Sequence, residues 1–419
     1  MLICETEKNQ STKEKILLAT IKASVKKRKN PYSLCNIAMD VGISKPAIFK
    51  YFKCKDSLIK AATSKAFDDI AAFYVQIKNQ FGNDVEKIIQ NFSLWLFENP
   101  SYLIFVLNQF MMEKDFSSII VAELEIRGVK LKKDFLSKEG ITEVYAISSI
   151  VTFICCLLQS KKGEKEESSE NPLKEEIEKY AAGISSCICY GVKDFSYPID
   201  INYEELDILC QQVKYQFTEE EKEISKKSEN QYKNEGRFFN ALASVIKKHS
   251  FSGVTIEKLA EEAGLAKSSL YTWFKNKDEL LEKVISARFL QLKKLLEHNI
   301  KFAKNPVEKS YVILKTETQW LLENISVLPV AAWLNFSGNG TVNVGQIILS
   351  ESNWGADLFS LEKLGFENWV LPSCWLICLP IPIVLEGSSR NYSLDFMKDS
   401  VKLIHSMVWN GILYRNKEN

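Results

Sequence analysis

Sliding the 419-residue sequence along itself by 222 positions brings residues 33–59 (SLCNIAMDVGISKPAIFKYFKCKDSLI) into ungapped register with residues 255–281 (TIEKLAEEAGLAKSSLYTWFKNKDELL). Eight of the 27 paired positions are identical: Ala38/Ala260, Gly42/Gly264, Lys45/Lys267, Phe52/Phe274, Lys53/Lys275, Lys55/Lys277, Asp56/Asp278 and Leu58/Leu280. Other pairs keep their character, as in Phe49/Tyr271 and Tyr51/Trp273. A chain that repeats a segment in this way is built from two copies of one unit, so whatever the segment folds into is made twice. The register persists further on. The same offset pairs Cys156-Leu157 with Cys378-Leu379, and an offset of 220 pairs Ile184, Ser186 and Gly191 with Ile404, Ser406 and Gly411. The duplicated unit therefore runs over roughly residues 13–192 and 235–412. Residues 193–234 between the copies contain an acidic, lysine-rich run (TEEEKEISKKSENQYKN) and read as a solvated linker or exposed helix.

Apolar spacing is helical along most of the chain. Ile16, Leu17, Thr20, Ile21, Ser24 and Val25 form a stripe, and similar spacing recurs over 67–81, 85–97, 141–158, 177–188, 279–300, 307–322, 361–370 and 394–413. An all-α fold is expected, with residues 338–345 (GNGTVNVG) as a loop or short hairpin. Two uncharged stretches have nearly the length of a membrane span. Ser148, Ser149 and Thr152 interrupt 144–160, and Pro372, Pro380 and Pro382 break 368–385, so both read as buried bundle helices with no membrane partner. The N-terminus lacks a basic-then-apolar export signal, which predicts a cytoplasmic protein whose ten cysteines are reduced.

The repeated segment specifies a helix, a tight turn and a second short helix. In the first copy Ser33 serves as an N-cap, Leu34, Ile37 and Ala38 line one helix face, and Gly42 supplies the turn with Val41 and Ile43 beside it. Ser44 caps the second helix, and Pro46 fits its first turn, where a missing N–H costs nothing. Ile48, Tyr51 and Phe52 are expected to face the core, leaving Lys45, Ala47, Phe49 and Lys50 outward. In the second copy Thr255 caps, Ile256, Leu259 and Ala260 pack, Gly264 turns, and Leu270, Trp273 and Phe274 anchor the second helix. Ala266, Lys267, Ser268, Ser269, Tyr271 and Thr272 lie at its start or on its outer side.

This pattern resembles the TetR family of bacterial repressors. The family sequence is a glycine turn, a small capping residue, a short recognition helix ending in Tyr-x-x-Phe, then Lys-(Asp/Glu)-x-Leu. Here it reads GISKPAIFKYFKCKDSL from Gly42 and GLAKSSLYTWFKNKDEL from Gly264. The match covers about 50 residues in each copy; beyond it the likeness is helical character and two long terminal helices. The resemblance implies two halves, each with a helix-turn-helix head (10–62 and 235–284) and a helical regulatory body (63–192 and 285–415), joined by the linker 193–234. It also implies that the two pairs of terminal helices build a four-helix bundle, here as an intramolecular pseudo-dimer.

The resemblance further implies a double-stranded DNA partner. The DNA-facing set is Ser33, Ser44, Lys45, Pro46, Ala47, Phe49, Lys50, Tyr51 and Lys55 in the first head. In the second it is Thr255, Ala266, Lys267, Ser268, Ser269, Tyr271, Thr272 and Lys277. Tyr271, Lys277 and Lys55 stand at positions that touch phosphate in the family; Phe49 departs from the tyrosine and has no hydroxyl to donate, a role Lys50 can fill. Between residues 13 and 60 there are twelve Lys/Arg against three Asp/Glu, a net of +9, whereas residues 236–283 hold eight against six, a net of +2. The first head should therefore contribute most of the salt-dependent affinity.

Family members pair two identical heads across half-sites about one helical turn, ~34–36 Å, apart. Fusion makes that pairing independent of concentration and lets the readers KPAIFK and KSSLYT diverge, which predicts an asymmetric operator. Further self-association is left open. The bodies are rich in aromatic residues (Phe92, Trp95, Phe97, Tyr102, Phe105 and Phe110; Trp320, Trp333, Phe336, Trp354, Trp369 and Trp375), whose first role is core packing, and family habit adds a small apolar effector. Cys374 and Cys378 share a helical spacing, but Pro372 and Pro380 disturb it and the surroundings are apolar, which argues against a reactive thiol. His249, His298 and His405 fit no metal-ligand spacing, and no CxxC pair, phosphate loop or nucleophile elbow occurs, so no enzyme, cofactor or metal is expected. The rival reading is a helical interaction scaffold with one or both heads decayed.

Overall fold

In the computed structural model of the chain the described residues are 11–26, 32–110, 116–130, 140–160, 170–192, 201–212, 237–246, 248–249, 254–275, 277–326, 348, 358 and 369–414. Among them no strand occurs and the fold is all-α. The loop expected at 338–345, Trp333, Phe336, Trp354, and the charged run of 218–234 lie outside the described residues. The helices are α1 (Thr12–Lys22), α2 (Leu34–Val41), α3 (Lys45–Ile48), α4 (Lys55–Phe81), α5 (Val85–Glu98), α6 (Pro100–Phe110), α7 (Phe116–Glu125), α8 (Gly140–Ser160), α9 (Glu170–Tyr190) and α10 (Tyr203–Gln212). They continue with α11 (Arg237–Ile246), α12 (Ile256–Glu262), α13 (Lys267–Trp273), α14 (Lys277–Asn299), α15 (Pro306–Glu323), α16 (Val370–Cys378), α17 (Pro380–Ser389) and α18 (Leu394–Tyr414). The chain divides into two compact units, Met1–Leu131 and Lys132–Asn419. The division falls inside the stretch 63–192 expected as the first body, so α8 and α9 belong to the second unit.

In the first unit α1, α2, α3 and the start of α4 close around Ile16, Ile37, Ala38, Ile48, Phe52 and Leu58. Burying each of the larger of these side chains is worth about 1.5–3 kcal/mol. A second cluster, Ile21, Ala62, Ala66, Phe67, Phe105 and Val106, joins α1 and α4 to α6. Aromatic side chains thicken this body: Trp95 stacks on Phe73 with ring centres 4.9 Å apart and tilts against Tyr102 at 5.3 Å. Arg127, after α7, bonds Asp68 on α4 at 2.6 Å and Glu123 on α7 at 2.7 Å.

The second unit packs helices from residues 140–190 against helices from residues 370–414. α8 packs on α9, α16 and α18, and α9 packs on α18. Two contacts join residues that lie 222 or 220 positions apart in the sequence. Phe153 and Trp375, 222 apart, stack with ring centres at 5.2 Å. Gly191 and Gly411, 220 apart, both have positive φ (73° and 71°). A Cβ on Gly191 would lie 2.3 Å from the Trp409 carbonyl oxygen, and one on Gly411 would lie 2.3 Å from that of Cys189, which is the reciprocal contact. Only glycine allows two backbones to approach so closely at this φ.

Of the two apolar stretches checked for membrane spans, Gly140–Leu157 and Val370–Ser388 have suitable length and composition, and more than half of each is buried within the unit. Pro380 opens α17, so the prolines divide the second stretch into two short helices rather than ending it. Within the stretch expected as a linker, α10 packs on α15. Leu206 and Cys210 are buried there, and Asp207 accepts from Tyr311 Oη and Lys315 Nζ, both at 2.7 Å.

Candidate nucleic-acid interface

The local chemistry of the first head builds the expected turn. Ser33 has extended backbone, and its side chain accepts from the Asn36 N–H at 3.2 Å, relieving one unpaired donor of α2. Gly42 ends α2 at φ 75°, ψ 31°. A Cβ there would meet nothing within 4 Å, so the left-handed conformation alone calls for glycine. Lys26 anchors the far side with a 2.8 Å ion pair to Asp40.

The second helix of this head, α3, is a single turn. Ser44 occupies its N-cap position, but its side chain accepts no backbone hydrogen bond, so the expected cap is positional only. After Ile48 the backbone tightens: Phe49, Lys50 and Tyr51 donate three residues back, to Pro46, Ala47 and Ile48. That tightening changes the helical phase. Ile48 and Phe52 are buried as expected, whereas Tyr51, expected in the core, is 43% exposed. Phe52, whose backbone N–H donates to the Ile48 carbonyl at 3.0 Å, keeps its expected core position.

The outward side of the first head is cationic. Lys45, Pro46, Phe49, Lys50, Lys53 and Lys55 are exposed, and Ala47 is half-buried. Among the described residues none of these four lysines forms an ion pair. Lys55 opens α4, whose N-terminus is closed by reciprocal bonds: Ser57 N–H to Cys54 Sγ at 3.4 Å and Cys54 N–H to Ser57 Oγ at 3.1 Å. The backbone bond from Ser57 holds the exposed Cys54 thiol below the usual thiol range.

The second head has the same framework with a longer second helix. Thr255 accepts from Lys258 N–H at 3.3 Å, and Gly264 turns the chain at φ 63°, its carbonyl bonded by Arg237 at 3.2 Å. Leu259, Ala260, Leu270 and Phe274 are buried, and Phe238 of α11 meets Phe274 edge-on at 5.6 Å. Ala266 and Ser268 are exposed, Ser269 is half-buried, and Tyr271 is 50% exposed. The side chains of Thr272, Trp273 and Lys277 lie outside the described residues.

Lys267 departs from its counterpart Lys45. It is ion-paired with Glu257, and its ammonium lies 5.9 Å from the Tyr271 ring centre. The bond from Lys267 pulls the Glu257 carboxyl down to about 2 and raises the lysine in turn. At the position equivalent to Glu257 the first head has Cys35, so no carboxylate stands there for Lys45. Sequence reasoning counted net charge and missed this pair; aligning Cys35 with Glu257 was the available signal.

Residues 239–284 match the family described as "Bacterial regulatory proteins, tetR family". A stretch of 92 residues is 30% identical to a protein of Haemophilus influenzae described as an uncharacterized HTH-type transcriptional regulator, covering 22% of this chain and 49% of that protein. The chain thus spans about half the length of that curated relative. The solved fatty acid degradation regulator FadR from Bacillus halodurans is 18% identical, with 43% of this chain and 96% of that one covered, at a TM-score of 0.32, too low to establish a shared arrangement. By the first of these matches, the second helix-turn-helix segment is similar to that of the TetR family.

Proposed function

We propose that the chain is a DNA-binding transcriptional regulator of repressor type, with heads at 10–62 and 235–284, bodies over 63–192 and 285–415, and an intramolecular pseudo-dimer in place of a homodimer. The observation that carries the DNA reading is the division of each second helix into two faces. Ile48 and Phe52, like Leu270 and Phe274, are buried, while Lys45, Phe49 and Lys50, like Lys267, Ser268 and Tyr271, face solvent. Apolar anchors fix the helix, and the outward donors remain for phosphates and base edges.

The pseudo-dimer reading is supported by the contacts between repeat-equivalent residues. In a two-fold interface residue i meets j as j meets i, and residues on the axis meet their own equivalents. Phe153 against Trp375 and the reciprocal approach of Gly191 and Gly411 have that character. The two heads present KPAIFK and KSSLYT, so the operator has unlike halves. An apolar effector held in a body releases DNA by binding the DNA-incompetent arrangement more tightly, a coupling of about 1–3 kcal/mol.

Selection of bound fragments from a random duplex pool, then footprinting and half-site swapping, tests the reading. Enrichment of a site with two different halves is expected. Equal affinity for a symmetric palindrome of either half overturns the asymmetry, and failure to enrich any sequence returns the chain to the interaction-scaffold reading.

A further inference from the structure

α10 lies in the stretch between the two copies, yet side chains of α15 and α18 hold it. Asp207 accepts from Tyr311 Oη and Lys315 Nζ, both at 2.7 Å, and Lys402 Nζ stands 3.8 Å from its other oxygen. Glu205 pairs with Lys304 at 3.2 Å. Leu206 and Cys210 are the buried apolar anchors. A helix of 10 residues has little stability of its own, so α10 keeps its place through these contacts.

One further contact is linked to a proton. His405 of α18 is 1% exposed and sits against Tyr203 of α10 and Val307, Ser310 and Tyr311 of α15. Its Nε2 lies 2.9 Å from the Val307 carbonyl oxygen, which can only accept, so the ring N–H is on Nε2. Nδ1 therefore carries the lone pair, and Tyr203 Oη donates to it at 3.0 Å. Ser310 Oγ, 3.0 Å from Nε2, accepts from Trp409 Nε1 at 2.7 Å and donates to the Val307 carbonyl at 2.8 Å. These neighbours are all uncharged. The charged groups nearby in the fold, Glu205 and Asp207 of α10, Lys304, Lys315 of α15, and Asp399 and Lys402 of α18, pair with one another. A second ring proton can go only to Nδ1, where the Tyr203 hydroxyl already points its hydrogen. Burial agrees, pushing the imidazole down to about 4.

We propose that α10 is a proton-released strap, docked on α15 and α18 while His405 is neutral and freed when Nδ1 takes up a proton. Docking excludes that proton because Tyr203 occupies the nitrogen. Release returns Nδ1 to water, where an imidazole binds a proton near pH ~6.5. By linkage the ratio of docked to free α10 falls by up to about tenfold per pH unit as pH drops from ~6.5 to about 4. With α10 docked, the connection into α11 runs over residues 213–236; with α10 free, it runs over 193–236. Acid thus lengthens the tether of the second helix-turn-helix, whether or not the heads bind DNA.

Cys210, 4% exposed on α10, reports the release. The full-length chain is pulsed with 4,4′-dithiodipyridine, which reacts with thiols in acid, at a series of pH values, and the labelled cysteines are mapped by mass spectrometry. The chain unfolded in guanidinium gives the unprotected rate at each pH. Cys187 and Cys189, buried on α9, register global unfolding. Expected is a protection of Cys210 that falls by up to about 100-fold over two pH units below ~6.5, while Cys187 and Cys189 keep theirs. Protection of Cys210 that stays constant, or falls only together with that of Cys187 and Cys189, overturns the proposal. His405→Gln should remove most of the fall, and a fall as large as the parent's would assign release to Asp207 and Glu205 and overturn the role of His405. The parent measurement decides even if the variant fails to fold.

Discussion

Replacing Lys45, Lys50 and Lys55 together by alanine tests whether the first head is an electrostatic reader. All three are exposed and, among the described residues, unpaired, so their removal strands no carboxylate. The caps that shape the head, Ser33 to Asn36 and Cys54 with Ser57, do not involve them. The fold should therefore persist, with an unchanged helical circular dichroism spectrum. Each phosphate contact changes the slope of log K against log salt by about 0.9, so losing three makes the slope shallower by ~2.7. Between about 0.2 and 0.05 M salt, a fourfold change, that difference amounts to ~40-fold in affinity that the parent gains and the variant does not. Fluorescence anisotropy with a random-sequence duplex across a salt series gives both slopes. A variant slope within about one unit of the parent's would show that these lysines are a solvated face and not a phosphate contact.

In the second head, Glu257→Gln releases Lys267 from its ion pair, and the salt slope should steepen by ~0.9; an unchanged slope would mean that Lys267 meets no phosphate. Gly411→Ala places a methyl 2.3 Å from a backbone oxygen at positive φ, and should lower unfolding free energy by about 3 kcal/mol or more in denaturant titration. Gly42→Ala, with open space around it, should cost only about 1 kcal/mol, and equal losses for the two glycines would refute the close-approach argument. His405 is buried between Tyr203, Ser310 and the Val307 carbonyl, and burial pushes its imidazole down to about 4. The unfolded chain takes up that proton near pH 6.5 and the folded chain does not, so stability falls between pH 6.5 and about 4, by about 3 kcal/mol in all. His405→Gln should flatten that part of the pH–stability curve, and an unaltered curve would assign the loss to other groups.

The helix-turn-helix was legible because its signals are local. A cap accepts from a donor three residues on, as Ser33 and Thr255 do, and a left-handed turn is satisfied by one glycine. Tyr51 escaped because periodicity assumes that α3 continues, and the tightening after Ile48 shifts the phase. The anchoring of α10 escaped because its pair, Asp207 to Lys315, spans 108 residues, and a segment's charge says nothing of a partner so distant.

The ion pairs also bear on why two unlike heads should be kept in one chain. Lys267 can reach a phosphate only by giving up Glu257, and part of any new attraction offsets that loss. No such exchange faces Lys45, whose counterpart of Glu257 is Cys35. On the proposed reading the first head gains affinity on any duplex, while the second gains it only where further contacts from Ser268, Ser269 or Tyr271 make up the difference. A homodimer cannot divide the work in this way, because a substitution that frees one recognition helix frees both. On that same reading fusion removes the constraint, and the unequal charge of residues 13–60 and 236–283, +9 against +2, is the imprint such a division would leave on the sequence.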